Sequence, residues 1–147
     1  MALLPALIIG LSSCRDEPVT TSQPTIQPDS PLAVMLRSRT DQLLRDIAAG
    51  NFRQLTQYYA PGASVDLRRE IEHHLGGSIG EISLYSWKAA TIGFELSDDG
   101  LHARTGVEVL LQGRKNELYK KGVLFNWSRS DTKDMTFHLQ PQTNATP

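Results

Sequence analysis

Leu101-His102-Ala103-Arg104-Thr105-Gly106-Val107-Glu108-Val109-Leu110-Leu111-Gln112 is the stretch from which the rest of the chain can be read. Leu101, Ala103, Thr105, Val107, Val109 and Leu111 hold one parity, and His102, Arg104, Glu108 and Gln112 hold the other. Successive side chains of a strand point to opposite faces, so this is a long strand with one apolar and one polar face. Upstream, residues 82–96 read as one long strand or as two with a bulge near Gly93, joined onward by the hairpin signal Asp98-Asp99-Gly100. Downstream, residues 113–116 turn the chain. Tyr119, Val123, Phe125 and Trp127 then line the apolar side of the next strand, with Lys120 and Asn126 opposite. A polar loop over 130–134 leads to a last strand carrying Met135, Phe137 and Leu139.

A sheet with one apolar face needs a second layer to cover it. That layer lies upstream. Ser30-Pro31 is an N-cap followed by proline at the first helical position. Leu32, Leu36, Leu43 and Ile47 keep helical spacing with Leu44 beside them, whereas Arg37, Arg45 and Asp46 are expected to face out. Gly50 ends this helix, and Asn51 is expected to cap a second, carrying Phe52, Leu55, Tyr58 and Tyr59 as far as Pro61-Gly62. Asp66 caps a third, with Leu67, Ile71 and Leu75 in register and Gly76-Gly77 after it. The expected class is α+β, with N-terminal helices packed on a curved antiparallel sheet.

Two resemblances enter on particular residues. The run Leu44-Arg45-Asp46-Ile47-Ala48-Ala49-Gly50-Asn51-Phe52, followed by Leu55 and by Tyr59-Ala60-Pro61-Gly62-Ala63-Ser64-Val65-Asp66, resembles the opening of nuclear-transport-factor-2-like (cystatin-like, SnoaL-like) domains. In element order the likeness covers roughly residues 32–140. It implies a cone with a pocket between helices and concave sheet, often paired through the outer face of the sheet. It implies no activity, because one fold hosts many functions.

Near the N-terminus, the apolar run from Ala2 to Gly10 is shorter than the roughly 20 residues a membrane span needs. Small residues, Ser12 and Ser13, precede Cys14, the only cysteine of the chain. Leu11-Ser12-Ser13-Cys14 resembles the lipobox of bacterial lipoproteins, although no Lys or Arg precedes Cys14. The resemblance implies cleavage between Ser13 and Cys14, diacylglycerol on the Cys14 thiol and acylation of the new amino terminus. With Arg15 rather than Asp after the cysteine, it also implies sorting to the outer membrane, facing the periplasm. The expected layout is a signal peptide over 1–13, a lipidated cysteine and tether over 14–31, a domain over 32–140 and a frayed tail over 141–147. The tether holds Pro18, Pro24, Pro28 and Pro31 among Thr, Ser and Gln, and proline-rich chain at about 3.1 Å per residue gives it a reach of roughly 50 Å. Asn144-Ala145-Thr146 has the form of a glycosylation acceptor and is expected to be only part of that tail.

The formal net charge of −1 argues against a nucleic-acid partner, which needs a clustered basic surface. Arg68-Arg69, Arg114-Lys115 and Lys120-Lys121 read as solvated pairs. On the apolar parity of the two long strands the ionisable side chains are Tyr119 and Lys121, too few for an acid–base set converging on one substrate. His73 and His74 point about 100° apart on a helix, and Glu70 with His74 offers two ligands where a metal site needs more; a solvated helix face is the expectation. The glycine-rich run over 76–80 passes from helix to strand, the reverse of a phosphate cradle. No metal or cofactor is expected.

Tyr58, Tyr59, Trp87, Tyr119 and Trp127 are the candidate pocket-lining residues, with plain core as the competing reading. The polar sheet face bearing His102, Arg104, Glu108, Lys120 and Asn126 is too charged for a dry obligate interface, which leaves a weak homodimer or a transient partner. The expected function is a membrane-anchored envelope lipoprotein whose non-catalytic domain binds a small apolar ligand or an envelope protein. The alternatives are a small periplasmic isomerase- or hydrolase-like enzyme using the cone, or a structural subunit of an envelope assembly.

Overall fold

A computed structural model describes residues 30–142. The readings that fall on the signal segment, Ser13, Cys14, most of the tether, and the tail beyond residue 142 lie outside the described residues.

Helix α1 spans Pro31–Ala49. The Ser30 hydroxyl accepts from the Ala33 amide at 3.1 Å, and Gly50 closes the helix in the left-handed region at φ 74°, where a side chain would be strained. Its buried residues Ala33, Leu36, Thr40, Leu43, Leu44 and Ile47 recur at helical spacing and lie across the sheet. The second helix is a 3₁₀ helix, Phe52–Tyr58, and the Asn51 side chain makes no cap hydrogen bond to it. Helix α2, Leu67–Leu75, is capped by the Asp66 carboxylate on the Arg69 amide and ends at Gly76, φ 77°.

The strands are β1 Ser83–Trp87, β2 Gly93–Leu96, β3 His102–Gln112, β4 Leu118–Ser128 and β5 His138–Leu139. All pairings between these strands are antiparallel. β3 pairs β4 along its whole length, β5 joins the far edge of β4, and β1 and β2 share the other edge of β3. The stretch over 82–96 is thus two strands, parted by a short 3₁₀ turn, Ala89–Thr91. The irregularity in pairing falls between Leu84 and Ser86 rather than near Gly93. The last strand is shorter than expected: Met135 stays outside it and is 52 % exposed. Arg129 explains this. Its Nε donates to the Gly100 carbonyl at 2.8 Å and its Nη1 to the Asp134 carbonyl at 3.0 Å, so the chain is held in a loop until Phe137 is buried.

The sheet is a strongly curled half-barrel with the helical layer in its concavity. Ala103, Thr105, Val107, Val109 and Leu111 of β3 and Val123, Phe125 and Trp127 of β4 are buried on the inner face, as the alternation requires. The centre is tied by a polar bond set. The Thr105 hydroxyl accepts from Thr40 Oγ1 and from Trp127 Nε1, each at 2.9 Å, which fixes α1 against both long strands. The centre is filled by Trp127, Phe125, Phe137 and Leu111, all fully buried, and an apolar cleft of about 220 Å³ opens towards one end of the layer between Ile47, Phe52, Ile71, Leu75 and Leu84.

Candidate functional site

Helix α1 turns about 100° per residue, so Met35, Ser38, Arg39 and Gln42 share one flank beside its apolar stripe. The 3₁₀ helix brings Gln57 and Tyr58 against that flank, and the loop before β5 brings Met135 and Thr136. Together these residues line an open surface cleft of about 490 Å³. Its floor is ordered by stacking. The Arg39 guanidinium lies 5.1 Å from the Tyr58 ring centroid and 5.7 Å from that of Trp127.

Each neighbour of Arg39 is itself fixed. The Tyr58 hydroxyl donates to Asp46 Oδ2 at 2.8 Å, and Gln42 Nε2 donates to Asp46 Oδ1 at 3.4 Å. Burial and the adjacent Asp46 carboxylate hold the Tyr58 hydroxyl above its ordinary pKa, so it remains a donor. Arg39 Nη2 donates to the Gln57 carbonyl at 3.1 Å, while Nε is buried without a hydrogen-bond partner. Burial lowers the guanidinium below its ordinary pKa, a shift the Tyr58 oxygen opposes. Among the described residues Arg39 makes no ion pair.

Of the five aromatic candidates, the structure brings two together at this cleft: Tyr58 lines it, and Trp127 lies beneath Arg39. Both are core residues with satisfied polar tips. Tyr59 is buried elsewhere, its hydroxyl on Glu70 Oε1 at 3.3 Å and held above its ordinary pKa by burial first and by Glu70 second. Trp87 donates from Nε1 to Asp41 Oδ1 at 2.8 Å. Burial pushes the Asp41 carboxyl up, but the Trp87 and Arg45 hydrogen bonds outweigh it and leave a net lowering. Tyr119 is 38 % exposed near the start of β4, eight residues and so about 26 Å along the strand from Trp127.

Three polar residues expected on solvated faces are in fact buried: Asp46, Glu70 and His74. Asp46 sits seven residues after Arg39, hence on the same flank of α1, where the 3₁₀ helix covers it. Glu70 and His74 share the face of α2 turned to the sheet. Glu70 accepts from Tyr59 and from the Gln142 amide at 2.8 Å. The His74 ring packs 4.7 Å from Phe125, and its Nε2 has no hydrogen-bond partner. Burial carries the His74 pKa down to about 4; Glu70 opposes the shift and His73 adds to it. Among the described residues no three His, Cys, Asp or Glu side chains gather as a metal site would require.

A second cleft of about 490 Å³ lies between β1 and the long strands, lined by Trp87, Lys88, Glu108 and Lys120 among others. There Lys120 Nζ meets Glu108 Oε1 at 3.9 Å, so a cation of that cleft has its counter-charge within the protein. Among the described residues the Arg39 cleft has none, and no Asp or Glu lines it. No helix among the described residues is long and apolar enough to cross a membrane. No family model matches the chain, and neither does any curated protein or any solved structure.

Proposed function

We propose that this chain is a lipoprotein held at Cys14 in the outer membrane, facing the periplasm, whose nuclear-transport-factor-2-like domain binds a small ligand without converting it. The anchor rests on Leu11-Ser12-Ser13-Cys14 and on the proline-rich tether that follows. Several acyl chains at one residue make a stable attachment, where a single chain would bind only marginally. The observation that carries the binding role is the Arg39 cleft, about 490 Å³ with an unmatched cation at its floor.

The packed centre and the apolar lining around it support the non-catalytic part of this reading. A reaction inside the cone needs an acid and a base beside the substrate; Trp127, Phe125 and Phe137 occupy the centre, and the apolar cleft between the helices and β1 is lined by no ionisable side chain. The buried acids, Asp46 and Glu70, are engaged by Tyr58, Tyr59 and the Gln142 amide. The anchor is tested by Cys14→Ser in a bacterial host fed a labelled fatty acid. Label and membrane fractionation should both be lost, and unchanged fractionation overturns the reading.

A second reading, a structural subunit of an envelope assembly, draws on the exposed apolar side chains Leu124, Tyr85 and Leu118, at 54 %, 55 % and 47 % exposure. Leu124 lies on the convex face, opposite in parity to buried Val123 and Phe125. A photo-crosslinker placed at residue 124 separates the two: adducts to another envelope protein favour the subunit, and adducts to a second copy favour the weak homodimer.

A further inference from the structure

We infer that the Arg39 cleft is a seat for a small monocarboxylate with an apolar body, whose carboxylate meets the Arg39 guanidinium and whose body lies between Met35 and Met135. The inference rests on the ligand-binding reading above and names the ligand class.

Three features of the cleft lead to it. The first is the state of the guanidinium. Nη2 is used by the Gln57 carbonyl, Nε is sealed, and Nη1 makes no hydrogen bond among the described residues. A half-desolvated cation with no counter-charge among the described residues attracts one from outside. The second is rigidity. Arg39 rests on the faces of Tyr58 and Trp127, and those rings are held by Asp46 and Thr105 in turn. The guanidinium is therefore oriented before any ligand arrives, which removes much of the ordering cost of binding.

The third is the character of the walls. Arg39 is the one charged side chain among the residues that line the cleft; Ser38, Gln42, Gln57 and Thr136 are neutral. A single positive charge matches a monoanion, whereas a phosphate dianion would be left half compensated. Met35 and Met135 supply flexible, polarizable apolar surface, and Met135 keeps 52 % exposure on the loop above the cleft. About 490 Å³ falls within the range of small-molecule sites.

The test titrates the full chain with hexanoate, hexan-1-ol and inorganic phosphate, following heat and the Arg39 Nε–H signal by nitrogen-edited NMR. Hexanoate should bind saturably and shift that signal. Arg39→Met, which keeps the stem against Tyr58 and Trp127, should weaken hexanoate about tenfold or more, as loss of a charged hydrogen-bond partner does. Arg39→Lys should retain part of the affinity, because the charge survives but the planar fork does not. Met135→Ala, at an exposed position, should weaken hexanoate a fewfold without altering Arg39, and it serves if Arg39→Met does not fold. Hexanol or phosphate binding as tightly as hexanoate overturns the inference, as does equal hexanoate affinity in Arg39→Met. Tight hexanol binding would leave the cleft a ligand site with a different ligand class. Failure of all three probes, with Met135→Ala silent, removes the ligand-binding reading as well.

Discussion

Replacing Thr105 by valine probes the join between helix layer and sheet with almost no change of volume. Thr105 is fully buried, and its hydroxyl oxygen accepts from Thr40 Oγ1 and Trp127 Nε1. Valine fills the same space, so no cavity term enters. Two buried donors lose their acceptor, each at a cost of about 1–3 kcal/mol, and about 3 kcal/mol in total is expected. With a urea slope near 1.5 kcal/mol/M for a domain of this size, the unfolding midpoint should fall by about 2 M at unchanged slope. Thr40→Val alone removes one donor and should cost about 1 kcal/mol. In the double variant only Trp127 is left without its acceptor, so the combined loss should be about 2 kcal/mol smaller than the sum. A midpoint shift below about 0.3 M for Thr105→Val would mean that Thr105 does not tie helix to sheet, and strict additivity would show that the two hydroxyls do not communicate.

His74 is buried with its pKa lowered to about 4 from 6.5, so the unfolded chain binds its proton first as pH falls. Its contribution to stability is therefore full above about pH 6.5 and is lost as pH falls towards 4, by about 3 kcal/mol at most. Urea midpoints from pH 7 to pH 4 should show that slope, and His74→Leu should flatten it. Gly76 has φ 77°, and a Cβ there would meet the Lys121 side chain at 3.2 Å; Gly76→Ala should therefore cost about 1 kcal/mol or more by thermal melting. Gly122 has open space where a Cβ would stand, so Gly122→Ala in β4 should be neutral or stabilising by a few tenths of a kcal/mol.

Much of the fold was legible because local chemistry and global packing agree. Alternation over residues 101–112 named the inner face of β3, and Ala103, Thr105, Val107, Val109 and Leu111 are all buried there. Ser30, Gly50, Asp66 and Gly76 marked helix ends that the caps reproduce. Departures arose where a neighbour overrides local preference. The chain after Asn51 winds as a 3₁₀ helix. Arg129 keeps residues 134–136 out of the last strand by binding Gly100 and Asp134 across the loop.

The site was far less legible. Tyr58 and Trp127 were among the aromatic candidates, yet Arg39, which joins them, carried no signal beyond its place on the flank of α1. Asp46, Glu70 and His74 likewise sit at the borders of helical apolar stripes, where spacing alone leaves solvent and core equally open.

Legible from the chain alone were the α+β class, the inner face of the long strand β3 and the ends of the two α-helices, because these follow from 2-residue and 3.6-residue periods and from capping chemistry. Folding in three dimensions determined which charges lose their water, that aromatic side chains fill the centre of the half-barrel, and that the Arg39 guanidinium, bound to the Gln57 carbonyl, has no counter-charge among the described residues. Those outcomes depend on which side chains distant elements bring into contact, and no period along the chain encodes the facing surface.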